Sequence, residues 1–155
     1  MECLWHPNPI LPIEPARREV GKKLLDIRTA FLHRGIGKAY RGYICDQLRR
    51  LRQGKRLHTK GGVFNTKWAA HIVRLTYALE HLVSKKEILV RLPETLAEEI
   101  RRIRKGEFSE EYLRKELLPE CEKRAEAAIE RLDLPREPDW DVIDDFCYFA
   151  CVERL

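Results

Sequence analysis

The chain has 155 residues, of which 44% are hydrophobic and 35% are charged, and its net charge is +5. This length fits one domain around a single core, and this composition excludes a disordered chain. No apolar run approaches the roughly 20 residues of a membrane-spanning helix, and the first residues lack the basic and apolar regions of a signal peptide. We therefore expect a cytoplasmic protein with no membrane partner.

Helical periodicity dominates the chain, which predicts an all-α fold, or nearly so, with five to six helices in one bundle. An extended N-terminal segment (1–14) is expected to precede a single helical domain (15–155). The first helix is predicted to begin near Pro15, and Gly35 and Gly37 are predicted to mark the turn into the second helix. The apolar stripe of the second helix is Tyr40, Ile44, Leu48 and Leu51.

A third helix follows a basic, glycine-containing loop, GKRLHTKGG (54–62), and Asn65 or Thr66 can cap its N-terminus. Its apolar stripe is Trp68, Ile72, Leu75, Leu79 and Leu82. The next segment, EILVRL (87–92), alternates apolar and polar residues as a short strand would. Because a lone strand has no pairing partner, this segment is either an extended connector or an edge completed by another chain. The fold therefore contains at most one short strand, near 87–92.

Three further helices are predicted, over 94–104, from Ser109 to near Leu132, and from Asp139 to about Glu153. The middle one is expected to be interrupted before Pro119, because proline cannot donate a backbone hydrogen bond. Cys147 and Cys151 lie four residues apart on the last helix and are expected to be buried free thiols. Trp140 is expected to anchor a core or an interface rather than to stack on a base.

Positive charge is concentrated in one part of the chain. Between residues 38 and 67 the only acid is Asp46, whereas 94–145 holds most of the carboxylates. Such asymmetry predicts a basic surface that attracts phosphates or an acidic partner.

Two predicted helices carry polar side chains at the same steps of four and three residues: Tyr43, Gln47 and Arg50 on the second, and Lys67, His71 and Arg74 on the third. At about 100° per residue each set forms one stripe beside the apolar face. If the helices pack antiparallel, the two stripes can line one groove. Its cations would bind phosphate, and its amide and phenol would contact a base or ribose. The alternative is an ordinary solvated helix face.

Further basic residues extend beyond these stripes: Arg49, Arg52, Lys55 and Lys60. They are either simply solvent-exposed or a diffuse electrostatic track for nucleic acid. The only Asp-x-Asp pair, Asp139 and Asp141, begins the last predicted helix, where acids interact favourably with the helix dipole. No metal site is therefore predicted in this chain.

Three segments together resemble a known family: LLDIRTAFLHRGIGKAYRGYICDQLRRL, NTKWAAHIVRLTYALEHL and EILVRLPETLAEEIRRIRKGEFSEEYL. They are similar to the C-terminal helical half of predicted nucleotidyltransferases of the DNA polymerase β superfamily, of the type associated with RNA repair. The most specific part is the Lys-x-x-x-His-x-x-Arg helix together with the preceding Tyr-x-x-x-Gln-Leu helix. The resemblance implies that the shared groove binds a nucleotide or RNA.

The chain departs from that family at the catalytic module. Members carry a Gly-Ser turn, an Asp-x-Asp pair and a third carboxylate, because two divalent metals must be held beside the triphosphate. This sequence has no Gly-Ser dipeptide, so no catalytic residue is assigned. The resemblance then implies a substrate-binding subunit or fragment, inactive alone, that relies on a small nucleotidyltransferase catalytic chain. Mg²⁺ and a nucleoside triphosphate are expected in the assembled enzyme.

Two other functions remain open from the sequence. A non-catalytic RNA-binding helical module would use the basic stretch 49–60. A helical ribonuclease toxin of a nucleotidyltransferase-paired module would use Arg28 and His33, which match a short Arg and His spacing. Association into a homo-oligomer is compatible with each of these functions.

Overall fold

The computed structural model describes residues 15–52 and 65–152. These residues form helices and no β-strand, which confirms the predicted all-α bundle. The helices of the N-terminal half are α1 (Pro15–Asp26), a 3-10 helix (Arg28–Phe31), α2 (Arg34–Arg52) and α3 (Thr66–Lys85). Those of the C-terminal half are α4 (Glu94–Lys105), α5 (Glu110–Tyr112), a π-helical turn (Leu113–Leu117), α6 (Leu118–Glu130) and α7 (Trp140–Val152). The predicted segment 1–14 and the basic loop 54–62 lie outside the described residues.

Helix α3 is the central element of the bundle and packs against α2, α4 and α6. Its predicted stripe is buried at Ile72, Leu79 and Leu82, and the stripe of α2 is buried at Ile44 and Leu48. Burying each such side chain contributes about 1.5–3 kcal/mol relative to leaving it exposed. The apolar stripes thus fix α3 between α2, α4 and α6, and α2 and α6 also contact each other.

The segment after α3 forms a connector rather than a strand. Residues 86–93 contain no strand, and the side chains of Ile88 and Leu92 pack against the core. The extended-connector alternative for 87–92 is therefore the one found. Its apolar residues are explained by contact with the helices beneath them.

The predicted turn at Gly35 and Gly37 is wrong, because both glycines lie inside α2. The chain instead turns through the 3-10 helix and Leu32. Gly37 is buried, and a Cβ atom there would lie 2.3 Å from the Leu132 Cδ2 atom. Glycine at this position therefore allows close packing of α2 against the segment that follows α6.

The predicted interruption before Pro119 takes the form of a π-helical turn. Helix α5 begins after Ser109, whose Oγ atom accepts a hydrogen bond from the Tyr112 N–H group at 3.2 Å, so the predicted cap is confirmed. The backbone at Leu113 and Leu118 keeps right-handed helical torsion angles, and α5, the π turn and α6 form one continuous helical segment. Since Pro119 has no N–H group, one regular helical hydrogen bond is lost there.

Helix α7 lies at the periphery and contacts α1 and the 3-10 helix. The Asp139 N–H group donates to the Ala30 carbonyl at 2.9 Å, and the Lys23 Nζ atom lies 3.4 Å from the centre of the Phe149 ring. Cys147 and Cys151 are exposed free thiols, so the prediction that they are buried is wrong. They lie on the side of α7 away from α1, a position that helical periodicity alone did not determine.

Candidate phosphate-binding groove

All six polar residues predicted on the second and third helices line one groove. Tyr43 contacts His71, with ring centroids 5.3 Å apart and planes at 88°. One turn earlier on α2, Tyr40 lies within the electrostatic range of Arg74. Because lower numbers on α2 pair with higher numbers on α3, the helices are antiparallel. The groove has a volume of about 420 Å³ and is lined by Tyr43, Gln47, Arg50, Lys67, Trp68, Ala70, His71, Arg74, Ile100 and Arg104. We call it the phosphate groove.

The third wall of the phosphate groove comes from α4, which the sequence analysis missed. The Thr66 hydroxyl donates to the Arg104 carbonyl at 3.2 Å and so joins the first turn of α3 to the last turn of α4. Gly106 ends α4 with a positive φ of 76°. Arg104 follows Ile100 by one helical turn, and both line the groove. That spacing was the available signal, but the orientation of α4 depends on tertiary packing.

Three cations of the phosphate groove have no carboxylate partner among the described residues: Lys67, Arg74 and Arg104. All three are exposed, and the described lining contains no acid. Cations that lack a local counterion produce a positive potential inside a concave surface. The groove therefore suits a ligand with several negative charges.

Arg50 differs from the other cations of the groove because it is paired. Its Nε atom lies 2.7 Å from Asp46 Oδ2, and Arg49 Nη2 lies 2.5 Å from Asp46 Oδ1. The hydrogen bond from Arg49, together with the charges of both guanidinium groups, lowers the pKa of Asp46. Asp46 thus offsets part of the charge that Arg50 would offer to an anion.

Gln47 is the buried polar group of the phosphate groove, with 6% of its surface exposed. Within residues 15–52 and 65–152 its carboxamide has no hydrogen-bond partner. No described side-chain nitrogen or oxygen atom is both buried and without a hydrogen-bond partner, so the polar end of this side chain reaches the solvent in the groove, where a ligand or water can complete its hydrogen bonds. A carboxamide can donate and accept, which suits the edge of a nucleobase or a ribose hydroxyl.

His71 lies beside Arg74, and its pKa is lowered. Partial burial is the main cause, and the positive charge of Arg74 adds to it. The imidazole is therefore neutral at pH 7 in the free protein. A bound anion would act against both causes, since it favours the imidazolium form.

Of the four residues proposed as a diffuse nucleic-acid track, the two that the structure describes, Arg49 and Arg52, do not line the phosphate groove. Arg49 pairs with Asp46, and Arg52 forms a two-point ion pair with Glu122 on α6, with Nη1 3.3 Å from Oε1. Lys55 and Lys60 fall outside the described residues. Both described members of the track therefore already have carboxylate partners, which weakens the case for a phosphate track there.

The proposed ribonuclease residues each have partners within the chain. His33 Nδ1 accepts a hydrogen bond from the Gly35 N–H group at 3.2 Å, and Arg28 lies 3.7 Å from Glu87. Asp139, the first acid of the Asp-x-Asp pair, accepts a hydrogen bond from the Val142 N–H group at 3.3 Å. That contact is typical of a helix N-cap.

A larger cavity, of about 620 Å³, lies between α3, the 86–93 connector and α6. We call it the Arg124 cavity. Arg124 donates to Glu80 through Nε at 2.8 Å and Nη2 at 2.5 Å, and its guanidinium lies 4.7 Å from the centre of the Tyr77 ring. The hydrogen bonds to Glu80 raise the pKa of Arg124. Arg124 is already paired and the lining also contains Glu120, whereas the described lining of the phosphate groove contains no acid, so the smaller groove is the better anion site.

None of the described helices combines the length and the apolar composition needed to cross a membrane. Within the described ranges, no three His, Cys, Asp or Glu side chains come together in a cluster that could hold a metal ion. No protein-family model, curated protein or solved structure matches this chain. The resemblance to nucleotidyltransferases therefore stays a prediction from the sequence.

Proposed function

We propose that this chain binds the phosphates of a nucleoside triphosphate or of RNA in the phosphate groove, as the helical substrate-binding subunit of a cytoplasmic nucleotidyltransferase. The observation that carries the proposal is the convergence of Lys67, Arg74 and Arg104, without a carboxylate partner among the described residues, around the amide of Gln47. Charge-assisted hydrogen bonds from such cations to phosphate oxygens are about twice as strong as neutral ones.

The role of the chain in this proposal is positioning. In nucleotidyl transfer an acceptor hydroxyl attacks the α-phosphorus and pyrophosphate leaves, so the phosphates must be held in line with the acceptor. Lys67, Arg74 and Arg104 would hold the non-reacting phosphates, and Gln47 would orient the base or ribose. The carboxylates for Mg²⁺ would come from a separate catalytic chain, where the metal would stabilise the charge that develops on the phosphate oxygens.

A binding experiment tests the first half of the proposal. Calorimetric titration with inorganic triphosphate and with a nucleoside triphosphate should give saturable binding to the full chain. Lys67→Ala and Arg74→Ala should each weaken it by about 1 kcal/mol or more. The matched control is Arg49→Ala, since Arg49 lies on α2 outside the groove lining. Equal losses in all three variants would favour the RNA-binding module instead.

A reconstitution experiment tests the second half. The chain alone should transfer no labelled nucleotide to RNA or protein. With a small protein that carries Gly-Ser and Asp-x-Asp and is encoded beside it, and with Mg²⁺, transfer should appear and should fall in the Arg74→Ala variant. Transfer by the chain alone would contradict the proposal, as would the absence of transfer with every such partner.

A further inference from the structure

Helix α7 exposes large apolar side chains on the surface of the protein. Trp140, Tyr148 and Val152 are 56%, 75% and 52% exposed. Cys147 and Cys151 are exposed as well. Scattered exposed apolar residues are normal, but a cluster of aromatic side chains on one short helix is typical of an interaction site.

Helical geometry places these residues on one side of α7. At about 100° per residue, Trp140, Cys147, Tyr148 and Cys151 fall within an arc of roughly 100°. We call this arc the outer face of α7. Other parts of the helix surface are already used, because Ile143, about 40° beyond Cys147, is buried, and Phe149, on the opposite side, lies beneath Lys23 of α1. The helix therefore has two apolar sides, and only one of them is covered among the described residues.

The charged side chains that α7 itself carries all have the same sign. Asp144 lies within the arc, Asp141 and Asp145 lie about 20° and 60° beyond Tyr148 on one side of it, and α7 contains no Lys, Arg or His. The three acids are exposed and form no ion pair with another described residue. A second copy docked through the same face would bring aspartate against aspartate, which is unfavourable. The partner surface that complements this face is therefore apolar and positively charged.

We infer that the outer face of α7 binds an amphipathic helix of a partner protein whose apolar stripe is flanked by Lys or Arg. Trp140 and Tyr148 are the anchors, because aromatic side chains in the centre of an interface carry much of its binding energy. The aspartates select the partner by charge and accelerate its association. The inference rests on α7 alone and does not depend on the phosphate groove, which is built by α2, α3 and α4.

The test uses a synthetic helical peptide with leucines on one face and lysines on both flanks, labelled for fluorescence anisotropy. The full chain should bind it with one-to-one stoichiometry, and the affinity should fall as salt is added. The double variant Trp140→Ala/Tyr148→Ala should weaken binding by at least about tenfold. Asp144→Lys with Asp145→Lys should also weaken it. The matched control is Glu130→Lys on α6, an exposed acid that should change binding less than about twofold.

Two controls separate this partner from others. The same peptide with glutamates in place of lysines should bind at least about tenfold more weakly, and sedimentation should show a monomer in the absence of peptide. Equal binding of the two peptides, no effect of either set of α7 variants, or a dimer that Trp140→Ala dissociates would each overturn the inference. Because the replaced side chains are exposed, the variants should keep the wild-type melting temperature. If the Trp140→Ala/Tyr148→Ala variant melts at a lower temperature, the test relies on Asp144→Lys with Asp145→Lys instead.

Discussion

Two flanks of α3 place arginine beside a cavity, and they do so differently. In the Arg124 cavity the guanidinium is held by Glu80 in a two-point ion pair and covered by Tyr77. In the phosphate groove Arg74 and Arg104 are exposed and have no described acid to neutralise them. Arginine in the first setting stabilises the packing of α6 on α3, whereas arginine in the second remains available to a ligand. The acids beside the cations, rather than the amount of positive charge or the size of the cavity, distinguish the structural contact from the candidate binding site.

The largest expected effect is on ligand binding in the phosphate groove. Replacing Lys67, Arg74 and Arg104 together by alanine should weaken the binding of inorganic triphosphate by roughly 100-fold, at about 1 kcal/mol for each lost cation. Calorimetry measures this loss. The free energy of unfolding should change by less than about 0.5 kcal/mol per site, because exposed side chains without partners contribute little to stability. A large loss of stability with unchanged binding would reverse the roles assigned to the two flanks.

The opposite result is expected for Arg124→Ala. Removing the guanidinium leaves Glu80 partly buried and unpaired, so the free energy of unfolding should fall by about 1–3 kcal/mol. Chemical denaturation measures the change, and triphosphate affinity should stay within about twofold of the wild type. The double variant Arg124→Leu/Glu80→Leu should recover part of the lost stability, since it removes both charges from the packed site. A double variant no more stable than Arg124→Ala would contradict an ion-pair role.

Gln47→Leu sharpens the comparison at the floor of the phosphate groove. The free energy of unfolding of the free protein should change little, because the carboxamide has no described partner to lose and its polar atoms reach solvent. Affinity for a nucleoside triphosphate should fall by about 1 kcal/mol, while affinity for inorganic triphosphate should hardly change. Titration of the two ligands on one variant separates base or ribose contacts from phosphate contacts. Equal losses for both ligands would assign Gln47 to the phosphates.

The smallest effect is the pH dependence that arises from His71. Its folded pKa lies below its unfolded value of about 6.5. The unfolded chain therefore binds more protons, and this contribution to stability is present above about pH 6.5 and is lost as the pH falls. A bound triphosphate favours the imidazolium form, so it should raise the His71 pKa. Nuclear magnetic resonance titration of the imidazole with and without triphosphate measures both pKa values, and an unchanged value would place the ligand away from His71.

The helices could be predicted from the sequence because their apolar stripes are regular. Ile44 and Leu48 on α2, and Ile72 and Leu79 on α3, fix two amphipathic faces, and the polar residues beside those faces then converge when the faces pack. The pairing of Arg50 with Asp46 could also be predicted from the sequence, since the two residues are four apart on one helix.

Other features depended on tertiary structure and could not be predicted from periodicity. The contribution of Arg104 requires the orientation of α4, which the contact from Thr66 to its last turn helps to fix. Gly37 was assigned to a turn because glycine has that tendency, but its role is to allow close contact with Leu132. Cys151 was expected to be buried because free cysteines usually are, but a helix with two apolar sides does not reveal which of them is covered.

The most direct test of the central claim compares the arginine side chains of the two flanks in one experiment. Nuclear magnetic resonance spectra of the side-chain Nε–H groups should be recorded while inorganic triphosphate is added to the full chain. The account predicts saturable shifts for Arg74 and Arg104 of the phosphate groove and none for Arg124, whose Nε–H group is held by Glu80. Shifts at Arg124 with none at Arg74 and Arg104, or equal shifts across all the exposed arginines, would contradict it.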